Sequence, residues 1–292
     1  MASQTDTFTQ HRIIRPDGRS VAVAETGDPV GPAVVLAHPA PGSRLLDPDP
    51  AATRAAGVRL ISVDRPGYGG STPVADGVTP AIPSHADDIV AALEALGVSD
   101  VAAVGWSAGG RVALALAARH PDLVRAAAIV ATPAPQEAVP WIPEEHLAMI
   151  DQLRGDPGHA TAALAEVFAE MAAMPPAAAV SMVGGGGADD AALGVDPARR
   201  ARLEVMLAEA MAQGAVGMAA DIVSYTVTPW GFDPAAVGAP AIGFYGADDE
   251  TVPPAHGEWY AGQVPGADLR VVAGIGHLVA LTRWADILAA VA

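Results

Sequence analysis

The sequence predicts an α/β fold, a mostly parallel twisted sheet flanked by helices, with a helical block inserted in its second half. Three observations carry this. Short apolar runs without polar alternation recur between helical stretches over the first 130 residues, the pattern of strands buried on both faces. From about Pro133 to Ala235, helical stretches follow one another with no convincing strand. Strand and helix then alternate again to the end of the chain. One domain carrying an insertion fits this order better than two sequential domains. The expected division is a core of residues 1–132 and 238–292, with a helical cap or lid at 133–237.

The elements follow in chain order. Val21 to Ala24 reads as an early strand after the turn Pro16-Asp17-Gly18. Ala33 to Ala37, bounded by Gly31-Pro32 and Pro39, is a continuous apolar run. Val58 to Val63, Val101 to Val104 and Ala126 to Val130 are three more. Between them Ser84 to Leu96 and Ala108 to Ala118 read as helices, with Ser84 as N-cap and Gly97 as the C′ stop. Strand–helix alternation of this kind argues for a parallel sheet with right-handed crossovers. In the insertion the best helical stretches are Glu144 to Leu153, Ala160 to Met174 and Pro197 to Gln213. Between the last two lies Gly184 to Gly187, the freest backbone in the chain and the expected mobile part of the lid. Ala241 to Tyr245 and Leu269 to Val272 complete the strands. A helix near Ala255 to Ala261 and a closing helix from Thr282 complete the rest.

Composition excludes several functions. The chain has 292 residues, 51% of them apolar, so a large core is available and global disorder is excluded. The 31 Gly and 26 Pro make about a fifth of the chain, with no collagen-like period. A formal charge of −17 repels nucleic-acid backbones and anionic lipid, so neither is an expected partner. There is no Cys, hence no disulfide, thiolate nucleophile or Cys-ligated metal. There is no Lys either, which removes Schiff-base chemistry and a Walker A phosphate loop. No apolar run reaches the ~18 residues of a membrane span. The polar start, Met1 to Thr9, lacks the charged-then-apolar order of a signal peptide. A soluble cytoplasmic protein acting on a small molecule, without cofactor or metal, is the expectation.

Gly105-Trp106-Ser107-Ala108-Gly109 is a G-x-S-x-G segment. Chance supplies about 0.1 such matches in a chain of this composition, so the motif alone is weak. Its context is stronger, because it leaves a predicted strand and opens a predicted helix. A sharp strand-to-helix turn needs small neighbours, and Gly105, Ala108, Gly109 and Gly110 supply them. The turn would lift the Ser107 hydroxyl clear of the sheet, near a helix N-terminus. The bland alternative is a glycine-rich turn with an incidental serine.

A serine at neutral pH needs a base. Of eight histidines, His277 alone sits in a glycine-flanked loop just past the last predicted strand, Gly274-Ile275-Gly276-His277-Leu278. His120, His146, His159 and His256 read as solvated or capping histidines. The base in turn needs an orienting carboxylate. Asp248, Asp249 and Glu250 lie in the turn after the strand Ala241 to Tyr245, at the sheet edge where open α/β folds place their sites. Residue reasoning leaves the choice among the three open.

With these residues assembled, the chain resembles the α/β-hydrolase fold family, in its serine-hydrolase, esterase-like form with a helical cap. His38-Pro39-Ala40-Pro41-Gly42-Ser43 is similar to the family's His-Gly-x-Pro loop. Asp64 to Ser71 resembles its D-x-P-G-x-G-x-S loop, Gly246 to Pro253 its G-x-x-D-x-x-V-P turn, and Gly276-His277 its G-H loop. These matches span residues 20 to 132 and 238 to 292, and the cap matches nothing specific. The family's spacing places the triad acid at Asp249, with Asp248 next in line, and implies a triad of Ser107, Asp249 and His277. It implies an oxyanion hole from the N–H groups of Ala40 and Ala108. The chain departs from the family at Pro39, where Gly is usual; this puts the position of Ala40 in question. The resemblance makes His38 a structural hydrogen-bonding residue. Arg65 and Arg111 read as surface or loop-bracing arginines.

The cap would cover the site, and Trp141, Met149, Phe168, Met171, Met174, Met182 and Trp230 offer an adaptable apolar lining. Trp106, Trp141, Met149, Phe168 and Leu278 are the expected substrate contacts. The leading expectation is hydrolysis of a carboxylic ester or lactone with an apolar part through an acyl-enzyme. The same triad also serves C–C bond hydrolysis, acyl transfer, peptidase or cofactor-free perhydrolase chemistry. A non-catalytic binding protein on this fold is the remaining alternative. Epoxide hydrolases and haloalkane dehalogenases place Asp where this chain has Ser107.

Overall fold

Apolar runs too short for helices and bounded by turn residues become strands, and eight of them form one sheet. The structure, a computed structural model, describes residues 8–183 and 187–291, apart from the side chains at 182 and 190. In chain order the first elements are β1 (Thr9–Ile14), β2 (Ser20–Gly27), β3 (Ala33–Ala37), α1 (Pro50–Ala56), β4 (Arg59–Val63), α2 (Ile82–Ala95), β5 (Val101–Trp106), α3 (Gly109–Arg119) and β6 (Val124–Val130). The insertion holds α4 (Glu144–Arg154), α5 (Pro157–Val167), α6 (Ala169–Ala172), α7 (Pro176–Val183), α8 (Gly187–Val195), α9 (Pro197–Ala210) and α10 (Val216–Ile222). A π-helical turn, Val223–Val227, and a short 3₁₀ turn, Pro234–Ala236, follow. The core closes with β7 (Ala241–Gly246), α11 (Ala255–Gln263), β8 (Asp268–Val272), α12 (Val279–Thr282) and α13 (Trp284–Val291). Among the described residues of the insertion there is no strand, as the sequence predicts.

The strands lie in the order β1-β2-β4-β3-β5-β6-β7-β8. β1–β2 and β2–β4 are antiparallel, and every other pair is parallel. β3 to β7 are almost wholly buried because helices cover both faces. One face carries α2, α3 and α11, with Ile89, Leu93, Val112, Leu116 and Tyr260 in its core. The other carries α1, α12 and α13 together with the cap helices α7 and α9, around Trp106, Leu203, Phe244 and Trp284. Among the described residues no helix is long and apolar enough to cross a membrane.

Several boundaries differ from expectation for physical reasons. β1 reads Thr-Gln-His-Arg-Ile-Ile, an exposed edge strand whose polar residues carry no hydrophobic run; pairing with β2 through the turn at residues 15–19 makes it. α2 begins at Ile82 because Pro83 is tolerated in a first helical turn, so Ser84 lies inside the helix and Ala81 takes the N-cap position. Gly97 stops that helix with φ 70°, as expected. The expected helix from Ala160 to Met174 starts earlier, at Pro157, and breaks at Phe168 into α5 and α6. Gly184 to Gly186 lie outside the described residues, and Gly187 opens α8.

Candidate active site

The loops after β3, β5, β6, β7 and β8 all leave the sheet at its carboxyl edge. β5 is central, between β3 and β6, and is followed at once by Ser107 with φ 54°, a left-handed conformation that L residues avoid. The turn holds this strain because its neighbours over-determine it. Ser107 N–H donates to Val130 O at 2.7 Å, and Gly110 N–H donates to Ser107 O at 3.1 Å. A Cβ on Gly105 would stand 2.3 Å from Gly109 O, and one on Gly109 would stand 2.1 Å from Ala37 O. The small residues are thus a packing requirement of the strand–helix elbow.

Asp249 follows β7 and is buried, whereas Asp248 and Glu250 are exposed. Its Oδ2 accepts from His277 Nδ1 at 2.9 Å, and its Oδ1 accepts from Thr251 N–H at 2.9 Å and Val252 N–H at 2.7 Å. Both oxygens are therefore engaged, one by the turn and one by the imidazole. Gly246 allows the acid turn to lie against the histidine loop, since a Cβ there would meet Ile275 O at 2.2 Å. Trp106, the residue before Ser107, donates its indole N–H to His277 O at 3.1 Å and ties the histidine loop to the elbow. Among the described residues no group of His, Asp and Glu could hold a metal ion.

The histidine loop has a further anchor that the sequence did not reveal. Asp189, buried on cap helix α8, accepts from His277 N–H at 2.8 Å and from Leu278 N–H at 2.9 Å. A Cβ on Gly276 would come within 2.7 Å of that carboxylate. No motif surrounds Asp189, so only the fold could point to it.

In the loop after β3, His38 is fully buried and donates from Nδ1 to Pro39 O at 2.7 Å, while Arg65 N–H donates to its Nε2 at 3.3 Å. Burial, with the nearby Arg65 charge, pushes its pKa well below that of a free histidine, so it is a neutral brace and not a second base. Arg65 braces the same loop, as expected. Arg111 is not at the surface. It is 1% exposed, and its guanidinium lies 4.3 Å from the ring centre of Tyr225, 5.2 Å from that of Trp230 and 5.8 Å from that of Trp141. His256 is also buried rather than solvated and accepts from Ala134 N–H at 3.0 Å.

The expected substrate contacts separate. Trp106 and Leu278 are fully buried in the core beside the histidine loop. Met149 borders a groove of about 310 Å³ between α4 and α5, away from the elbow residues. Trp141 and Phe168 are half-buried; Phe168 packs near Tyr68 in the loop after β4, and Trp141 beside Arg111.

Known proteins bear on this geometry. A family model described as the alpha/beta hydrolase fold matches residues 32–283. The chain is 29% identical over 239 residues to a pimeloyl-[acyl-carrier protein] methyl ester esterase of Chromobacterium violaceum, covering 79% of this chain and 81% of that protein. A hydrolase from Pseudomonas aeruginosa PA01 superposes with a TM-score of 0.70 at 22% identity, over 99% of this chain and 98% of the other. An esterase from Rhodococcus sp. ECU1013 gives 0.66 at 20% identity, over 97% and 99%. With the model match spanning most of the sheet and its loops, the chain belongs to the α/β-hydrolase fold family.

Proposed function

We propose that the protein is a serine hydrolase cleaving a carboxylic ester or lactone with an apolar part. The observation that carries this reading is the strained Ser107 elbow together with the buried Asp249–His277 hydrogen bond, the two loops being tied by the Trp106 indole N–H to His277 O. Likeness to an esterase over four-fifths of each chain supports ester chemistry. Ser107 Oγ attacks the carbonyl carbon while His277 Nε2 takes its proton, and Asp249 stabilises the imidazolium through Nδ1–H. Ala40 and Ala108 N–H groups receive the developing oxyanion. Collapse breaks the C–O bond, and the alkoxide leaves with the proton from His277. Water, deprotonated by the same histidine, then attacks the acyl-enzyme and releases the acid. Trp141 and Phe168 are the proposed walls for the apolar part.

The test is Ser107→Ala assayed on p-nitrophenyl esters of graded chain length and on lactones, with fluorophosphonate labelling. Turnover should fall by on the order of 10⁴ or more and labelling should vanish, with the fold intact. Substantial residual turnover removes Ser107 from the mechanism.

A further inference from the structure

We propose that Arg65 and Asp221 are a positioning pair for the oxyanion hole, through which the helical insertion sets the direction of the Ala40 N–H. This rests on the reading of Ala40 as an oxyanion donor.

The Pro39–Ala40 peptide is trans, so its C=O and the Ala40 N–H point in opposite directions in one plane. Fixing the carbonyl therefore aims the N–H. Pro39 O accepts from two donors, His38 Nδ1 at 2.7 Å and Arg65 Nη2 at 2.9 Å. Arg65 Nη1 also donates to His38 O at 2.6 Å, so one guanidinium holds two successive carbonyls of the loop. Pro39 has no N–H of its own to anchor the loop, and the hold has to come from the carbonyl side. A cationic donor on a peptide carbonyl also polarises that peptide and strengthens its N–H as a donor.

Arg65 is held by Asp221, which lies more than 150 residues away on α10. Arg65 Nε donates to Asp221 Oδ1 at 2.9 Å, and Nη2 to Oδ2 at 2.5 Å. Tyr68 adds its O–H to Oδ2 at 2.9 Å. Asp221 is 2% exposed and Arg65 3%. The guanidinium thus spans from a cap carboxylate to the peptide whose N–H faces the reacting carbonyl. A buried ion pair is in general weak support for stability, since apolar replacements often serve as well. What apolar residues cannot supply here is two directed hydrogen bonds to the loop carbonyls.

The experiment compares Asp221→Asn, and the double variant Arg65→Met with Asp221→Leu, against the parent enzyme. It reads kcat, KM, Tm and inhibition by a trifluoromethyl ketone, which adds to the serine as an oxyanion. A misaimed donor should lower kcat roughly 10- to 100-fold, within the loss from removing one donor. KM should stay within about threefold, and ketone affinity should fall in step with kcat. If Asp221→Asn leaves Arg65 unpaired and does not fold, the double variant removes both charges together and is read in its place. A folded variant with parental kcat, or with ketone affinity unchanged while kcat falls, overturns the proposal. Failure of both variants to fold overturns it too, because the pair is then structural. Ser107→Ala separates the two readings: if it stays active, the triad reading fails. If it is dead while the folded Asp221 variants match the parent, only the positioning role fails.

Discussion

Ser107 stores strain that an alanine in its place would keep and a glycine would release. Its φ of 54° is left-handed, and such strain at a non-glycine residue is worth about 1–2 kcal/mol. Both Ser107→Ala and Ser107→Gly should be inactive, but the glycine variant should unfold at the higher temperature. Equal melting temperatures would mean the elbow is not strained by its backbone. Asp249 makes a second residue-scale case. Its Asn variant would present an amide N–H₂ to His277 Nδ1 or turn it toward the Thr251 and Val252 N–H groups, and either choice disrupts a hydrogen bond. Asp249→Asn should lower kcat by roughly 10³–10⁴, as expected when the imidazole is held in the wrong tautomer. Asp248→Asn, on an exposed side chain, should leave kcat within about twofold. Steady-state kinetics on one ester decides the ranking, and the reverse order transfers the role to Asp248.

At the scale of elements, α8 of the insertion reaches into the core and holds the loop that carries His277. Two backbone N–H groups of that loop end on one buried carboxylate. In Asp189→Ala both lose their acceptor, and a buried N–H without a partner destabilises by about 1–3 kcal/mol. Amide exchange at residues 274–278 should quicken, and kcat/KM should fall about tenfold because a loosely held base spends less time in the reactive geometry. Unchanged exchange in that loop would show that Trp106 alone holds it. The same reasoning accounts for Gly276, where a side chain would collide with the Asp189 carboxylate.

Over the whole molecule, buried neutral histidines govern the response to acid. His85 and His256 are each 1–2% exposed, and burial brings each down to about 4. Burial likewise holds His38 well below the ordinary value. In the unfolded chain these groups take up protons near pH 6.5, whereas the folded protein resists until about pH 4. The unfolded state therefore binds more protons between those limits, and stability rises with pH across that window and falls as pH drops through it. Each shift of this size is worth on the order of 3 kcal/mol. Tm should accordingly be level above about pH 7 and decline steadily toward pH 4. His256→Gln, which can still accept the Ala134 N–H, should remove part of the slope. A flat Tm from pH 7 to 4.5 would show that these histidines are protonated in the folded state.

The sequence by itself marked seven of the eight strands, their order along the chain, and Ser107 and His277 as the proposed nucleophile and base. Each of these rests on local chemistry: continuous apolar runs mark strands buried on both faces, and an elbow or acid turn needs particular small residues at fixed spacing. Ala33 to Ala37 was legible for that reason, and so was the glycine-lined turn around Ser107. Choosing Asp249 over Asp248 required the family's spacing; in the structure the Asp249 side chain is buried and that of Asp248 exposed. Only the tertiary structure decided which distant groups support the site. Asp189 and Asp221 sit in cap helices with no motif around them, and Arg111 is wrapped by rings from residues 141, 225 and 230. β1 belongs with these, because its polar edge becomes a strand only when β2 offers a hydrogen-bonding partner. Contacts between residues of different elements leave no periodic trace in a single sequence, since their spacing is set by how the layers stack and not by the repeat of a helix or strand.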